Sequence, residues 1–347
     1  MRSGMLPAVC VGVVAGLAAT SRASIIVGAG AGSDPLVQLH SPPSPPTTFA
    51  AYPPGFLGGV RVAAGDINGD GIPDIITGAG SGGSGGHVKV FDGVSGSEVR
   101  SFFAYGGFSG GVHVASGDVN GDGVPDVITG AGAGAAGGHV KVFDGATGAQ
   151  VQSFFSFDGF SGGVRVASGD INGDGRPDII TGTGVGGGHV KVFSGLDGSL
   201  LNSFLPYDAG FQGGVYVAAG DVNGDGIVDI VTGVGGDDSS SALSHVKVFD
   251  GQSGGLLSSF FAYGAAQGGV RVAVGDLDGD GIGEIVTGAG PGAGPHVKVF
   301  DFTGAERESF FAFSPSFTGG VYVAAVPAPG MALPALCLLA IARRKRR

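Results

Sequence analysis

The sequence predicts an all-β protein: a single β-propeller, six four-stranded blades closed by pairing of the N- and C-terminal strands. Three observations predict it. An acidic nine-residue pattern recurs five times at steps of 51 to 55 residues, the period of a repeat architecture. Each unit carries four short runs rich in Val, Ile and Phe, joined by turns rich in Gly and Asp, which reads as an antiparallel meander. The fragments left over at the two ends are complementary pieces of one more unit. The 74 glycines among 347 residues show no G-X-Y period and punctuate the apolar runs, so neither collagen nor disorder fits.

In chain order, Arg2, the apolar stretch Met5 to Ala19 and the small residues ending Ser21-Arg22-Ala23 form the pattern of a secretory signal peptide over residues 1–23. The propeller is expected over residues 24–325. It begins with Ser24-Ile-Ile-Val27-Gly-Ala-Gly30, which matches Asp74-Ile-Ile-Thr77-Gly-Ala-Gly80, a second strand and not a first. Leu36 to Leu39 then parallels His87 to Val90, and Thr48 to Tyr52 parallels Ser101 to Tyr105. Complete units start near Gly58, Gly110, Gly162, Gly213 and Gly268.

In the second unit, Val112 to Ala115 is the first strand and Asp126 to Gly130 the second. His139 to Phe143 and Gln152 to Phe155 are the third and fourth. Val321 to Ala324 is a lone first strand with no acidic loop, because Ala324-Ala325-Val326 replaces the Gly-Asp start. It completes the sixth blade and leaves no unpaired inner edge, for which an open solenoid offers no reason. Residues 326–347 combine a proline hinge, the apolar run Met331 to Ala342 and the basic end Arg343 to Arg347. That order resembles the PEP-CTERM class of bacterial sorting tails and implies a membrane-anchor or sorting segment with its basic end in the cytoplasm.

The net charge is −11, and 16 of the 29 Asp and Glu residues sit inside the five acidic loops. The body between the termini holds 11 Lys and Arg against those 29 acids, and no basic stripe for phosphates, so nucleic acid is not an expected partner. The only cysteines, Cys10 and Cys337, lie in the end segments, so neither disulfides nor cysteine-held zinc supports the body.

Each loop offers oxygen alone at positions 1, 3, 5 and 9, with a main-chain carbonyl at position 7. The expected ligand sets are Asp66, Asn68, Asp70, Ile72 and Asp74; Asp118, Asn120, Asp122, Val124 and Asp126; Asp170, Asn172, Asp174, Arg176 and Asp178; Asp221, Asn223, Asp225, Ile227 and Asp229; and Asp276, Asp278, Asp280, Ile282 and Glu284. Ca²⁺ accepts six to eight oxygens at loose angles, so about five Ca²⁺ ions are expected. Without a cation, close carboxylate pairs would repel by roughly 1 to 4 kcal/mol each.

The spacing is similar to the start of an EF-hand or dockerin loop, but position twelve is Thr77 or Thr129 and a β-run follows, so the loop joins strands. Phe108 to Val112, the acidic loop and Gly130-Ala-Gly132 together resemble the FG-GAP (VCBS, integrin-α-like) repeat, over about residues 25–325. That resemblance implies a propeller whose loops between first and second strands bind calcium on one face.

His87, His139, His189, His245 and His296 each open a third strand, and read as residues satisfied within their own blades. Between the paired valines of the first strands stand Arg61, His113, Arg165, Tyr216, Arg271 and Tyr322. These six are expected to ring the central channel, either to contact an acidic or carbohydrate ligand or to pack between blades. No nucleophile–base arrangement stands apart from the repeat, so no enzyme is expected. The expected protein is a monomer, exported to the cell surface or bacterial envelope, that recognises an extracellular protein or glycan. The alternatives are a calcium-rigidified structural envelope or matrix protein and a polysaccharide-acting enzyme.

Overall fold

The computed structural model describes residues 23–236, 243–264 and 266–328. The expected signal peptide and sorting tail lie outside these residues, apart from the first three residues of the tail. Six four-stranded antiparallel sheets account for the described residues, with a single 3-10 turn at Ser84–Gly86. The first strands of blades 1 to 6 are Val60–Gly65, Val112–Gly117, Val164–Gly169, Val215–Gly220, Val270–Gly275 and Val321–Val326. They contact one another in that order and back to the start, so they line the axis of a closed ring.

Blade 6 joins the two ends of the propeller. Val321–Val326 pairs antiparallel with Ser24–Ala29, followed outward by Leu36–His40 and Thr47–Ala50. Six residue pairs hold this seam, from Ser24 opposite Val326 to Ala29 opposite Val321.

Burial follows position in the blade. Second strands are buried at nearly every residue, as in Asp74–Ala79, while fourth strands such as Glu98–Phe103 are mostly exposed. The apolar residues of adjacent blades mesh face to face: Ile76, Val88 and Val90 of blade 1 pack with Val112 and Val114 of blade 2. A glycine in each second strand permits this approach. A Cβ on Gly78 would lie 2.5 Å from the carbonyl oxygen of Val112, and one on Gly28 would lie 2.2 Å from that of Val60. Gly130, Gly182, Gly233 and Gly288 meet the next blade in the same way.

A tyrosine following the fourth strand then latches onto the next blade. The Tyr52 hydroxyl bonds with Thr77 Oγ1 at 3.2 Å and donates to the His87 carbonyl at 3.0 Å. Tyr105, Tyr207 and Tyr263 repeat the contact, whereas Phe157 and Phe313 occupy the other two interfaces. Burial pushes all four tyrosine hydroxyls well above their ordinary pKa.

Candidate metal loops and axial cavity

Each acidic loop spans the first and second strands of a blade at the end where Gly65 pairs with Asp74, Gly117 with Asp126, Gly169 with Asp178, Gly220 with Asp229 and Gly275 with Glu284. The five loops therefore share one face of the ring. Within the first, the position-1 carboxylate organises the turn: Asp66 Oδ1 accepts from the amides of Gly69 at 2.8 Å and Asp70 at 3.0 Å, and Oδ2 accepts from Gly71 at 2.8 Å. Gly69 and Gly71 adopt φ of 75° and 85°, a left-handed geometry that favours glycine. Asn68 Oδ1 accepts from the Asp70 amide and Asp70 Oδ1 from the Ile72 amide.

The position-9 carboxylate closes the loop from below. Asp74 is fully buried; its Oδ2 accepts from the amides of Ile67 and Asn68, and its Oδ1 from Gly93 at 2.9 Å. Asp126, Asp178 and Asp229 are equally buried and bind the amides of Gly145, Gly195 and Gly251. Glu284 is partly buried and accepts from the Leu277 amide at 2.7 Å. Burial outweighs these hydrogen bonds and pushes the carboxyls of Asp74 and Asp229 up to about 6. Asp126, Asp178 and Glu284 shift the same way for the same reason. A proton or a cation relieves the cost of the buried charge.

The carboxylates converge. Asn68 Nδ2 donates to Asp92 at 2.8 Å, Asp70 at 3.1 Å and Asp74 at 3.3 Å. Asn120 Nδ2 does the same to Asp144, Asp122 and Asp126 at 2.7, 3.2 and 3.4 Å. In the fifth loop Asp278 replaces the asparagine, and ligand oxygens of Asp276, Asp278 and Glu284 come within 4.8 Å of one another. An all-oxygen donor set gathered in this way fits a hard divalent cation. Arg176 adds a fixed positive charge beside the second loop, with its guanidinium against Gly121.

Asp92 and Asp144 were not among the residues expected from the sequence. Both end a third strand in the recurring His-Val-Lys-Val-Phe-Asp, as do Asp250 and Asp301, while the third unit has Ser194 there. That recurrence was the available signal. Hydrogen bonds from Ser95 and Thr147 hold the carboxyls of Asp92 and Asp144 below the usual range.

At the other end of the first strands, Arg61, His113, Arg165, Tyr216, Arg271 and Tyr322 lie around the axis. The Arg165 guanidinium lies 3.9 Å from the Tyr216 ring centre, Arg271 lies 4.8 Å from Tyr322, and Arg61 lies 5.5 Å from Tyr322. Tyr216 stands 6.4 Å from both His113 and Tyr322. A cavity of about 630 Å³ opens here, lined by Arg61, His113, Arg165, Arg271, Tyr322 and glycine-rich turns.

The five strand-opening histidines do not converge. Each bonds through Nε2 to a serine of its own fourth strand, as His87 does to Ser101 at 2.8 Å and His245 to Ser259 at 2.7 Å. Burial, then the neighbouring lysine, holds each imidazole below its ordinary pKa.

The family model described as FG-GAP-like repeat matches residues 66–129, 170–232 and 221–287, together just over half of the chain. No curated protein matches the sequence. A solved structure titled "Crystal Structure of Mitotic Checkpoint Complex" overlays with a TM-score of 0.49 at 13% identity, covering 90% of each chain.

Proposed function

As the chain belongs to the FG-GAP-like repeat family, we propose that it is an exported, calcium-binding β-propeller that serves as a surface recognition or adhesion module for a protein or glycan partner. The observation that carries this reading is the gathering of five acidic loops on one face, each with a position-9 carboxylate drawn into the blade. Side-chain oxygens at positions 1, 3, 5 and 9 and the position-7 carbonyl of each loop would hold the ion. Asp92 and Asp144 stand close enough to support the first two loops. A bound Ca²⁺ would supply charge neutralisation and a rigid crosslink between two strands, with no chemistry of its own.

Such a ring presents fixed loops to a partner, which suits recognition. The leader and tail patterns support export to a bacterial envelope, and a closed ring supports a monomer. A structural envelope role is favoured by one observation, the near-identity of the blades: His-Val-Lys-Val-Phe recurs unchanged in five of them.

Metal analysis of the exported protein should return about five Ca²⁺ per chain, and the combined substitution D66N/D70N/D74N should remove one. An unchanged count would discard that loop. Chelation should lower the melting temperature, because an ion bound only by the folded state adds to its stability. A metal-free protein indifferent to chelator would sink the calcium reading.

A further inference from the structure

The axial ring alternates in chemistry. Guanidinium groups stand on blades 1, 3 and 5, and aromatic or imidazole rings on blades 2, 4 and 6. Three cations thus sit two blades apart around one axis, in near-threefold arrangement. Each is pinned, since Nη1 of Arg61, Arg165 and Arg271 donates at 3.2 Å to the carbonyls of Ala79, Thr183 and Ala289. Glycines press on the same nitrogens. A Cβ on Gly111 would lie 2.7 Å from Arg61 Nη1, one on Gly214 would lie 2.3 Å from that of Arg165, and one on Gly320 would lie 2.9 Å from that of Arg271.

Arg165 and Arg271 are only 3% and 4% exposed, and Arg61 Nε is buried without a hydrogen-bond partner among the described residues. The guanidinium is the side chain whose fork best matches an oxyanion, and its reach grows when water is excluded. The cavity of about 630 Å³ falls within the range of roughly 300–1,000 Å³ seen for small-ligand sites. It opens at the end where Val60 pairs with Ala79, away from the acidic loops, so their negative charge does not screen it. Glycine turns at Gly82, Gly110, Gly132 and Gly162 bring main chain to its wall beside the apolar side chains of Phe56, Leu57 and Val185, a mixed surface of the kind a sugar ring meets with its hydroxyls and its C–H face.

We propose that the axial cavity binds an acidic sugar, its sulfate, phosphate or carboxylate held by Arg61, Arg165 and Arg271 and its hydroxyls facing the glycine turns. The proposal deepens the recognition reading and rests on it for the setting in which such a glycan is met. The cavity itself lies apart from the calcium loops.

Calorimetric titration of the calcium-loaded protein with sulfated, phosphorylated and uronic-acid disaccharides tests it. The neutral parent disaccharide and inorganic sulfate serve as comparisons at fixed ionic strength. At least one acidic disaccharide should bind at least tenfold more tightly than both comparisons. Binding by none of them overturns the site, and equal affinity for inorganic sulfate overturns its assignment to a sugar. Replacing buried arginines risks the fold, so the locating variant is A133E, which adds a carboxylate at an exposed lining residue. It should weaken binding at least tenfold with an unchanged melting temperature, and undiminished binding would place the ligand elsewhere. Metal analysis of the same samples separates the two readings: five calcium ions with no sugar bound removes this site alone.

Discussion

A single hydroxyl distinguishes strong from weak latches between blades. Tyr105 reaches Thr129 and the His139 carbonyl, while Phe157 faces the equivalent Thr181 and His189 with no oxygen to offer. At the closing interface Phe313 packs against the cluster that contains Val27, which stands where the other blades have threonine, so both side-chain hydroxyls are missing together. Because Thr181 keeps its hydroxyl, F157Y should restore the bond and raise stability by about 1 kcal/mol, the usual net worth of such a hydrogen bond. Denaturant unfolding checks it, and a loss of stability would show that the site lacks room. These latches were invisible in the sequence because they depend on which blades touch, not on spacing within a unit. The position of the aspartates in the loops was legible from their spacing, but not their burial.

The histidines give the pH prediction at this scale. Their folded pKa values lie below the ordinary 6.5, so the folded state binds fewer protons than the unfolded chain. The stability they contribute is fully present above that value and is lost as the pH falls through the folded values. NMR titration of the imidazole protons of His87, His139, His189, His245 and His296 should give midpoints under 6.5. Midpoints above it would contradict the burial described.

At the scale of the strand, glycine is a spacing device. The second strand carries Asp-(Ile/Val)-(Ile/Val)-Thr-Gly in four of the five complete units, with Glu284 opening the fifth. The Gly places main chain of one blade against the carbonyl of the next. In G130A the added methyl would meet the Val164 oxygen at 2.5 Å and Val166 Cγ1 at 3.0 Å. Overpacking of this kind costs about 1–3 kcal/mol, so a melting temperature several degrees lower is expected, while an unchanged one would mean the blades can separate freely. The four-strand order and the β-loop-β setting of the acidic pattern could be read from periodicity alone. The recurrence of Asp92 and Asp144 was visible too, but not their place beside the loops, because they lie about twenty residues beyond them and return only through the sheet order.

For the whole molecule, the blade count and the shared sixth blade followed from counting half-units, since complementary ends have one use in a ring. The polarity of the ring did not follow. Only the strand register shows that acidic loops and axial arginines occupy opposite ends of the same first strands, which gives the described residues an anionic face and an arginine-lined mouth. Without metal, the anionic face carries the repulsion. Lowering the pH from 7.5 to 5.5 should therefore weaken calcium binding, because carboxyls at Asp74 and Asp229 that titrate near 6 are then shared with protons. Calorimetry at the two pH values reads the difference, and equal affinity would place those carboxylates outside the ion's reach.

The seam at Ser24–Ala29 and Val321–Val326 also sets an order of events. The innermost strand of the first-made blade is the last to be synthesised, so every nascent chain waits with an open sheet edge until its final repeat has emerged. A chain shortened before Val321 would keep that edge for good. It should self-associate by light scattering where the full chain does not, and a monomeric truncation would show that the toroid tolerates a gap.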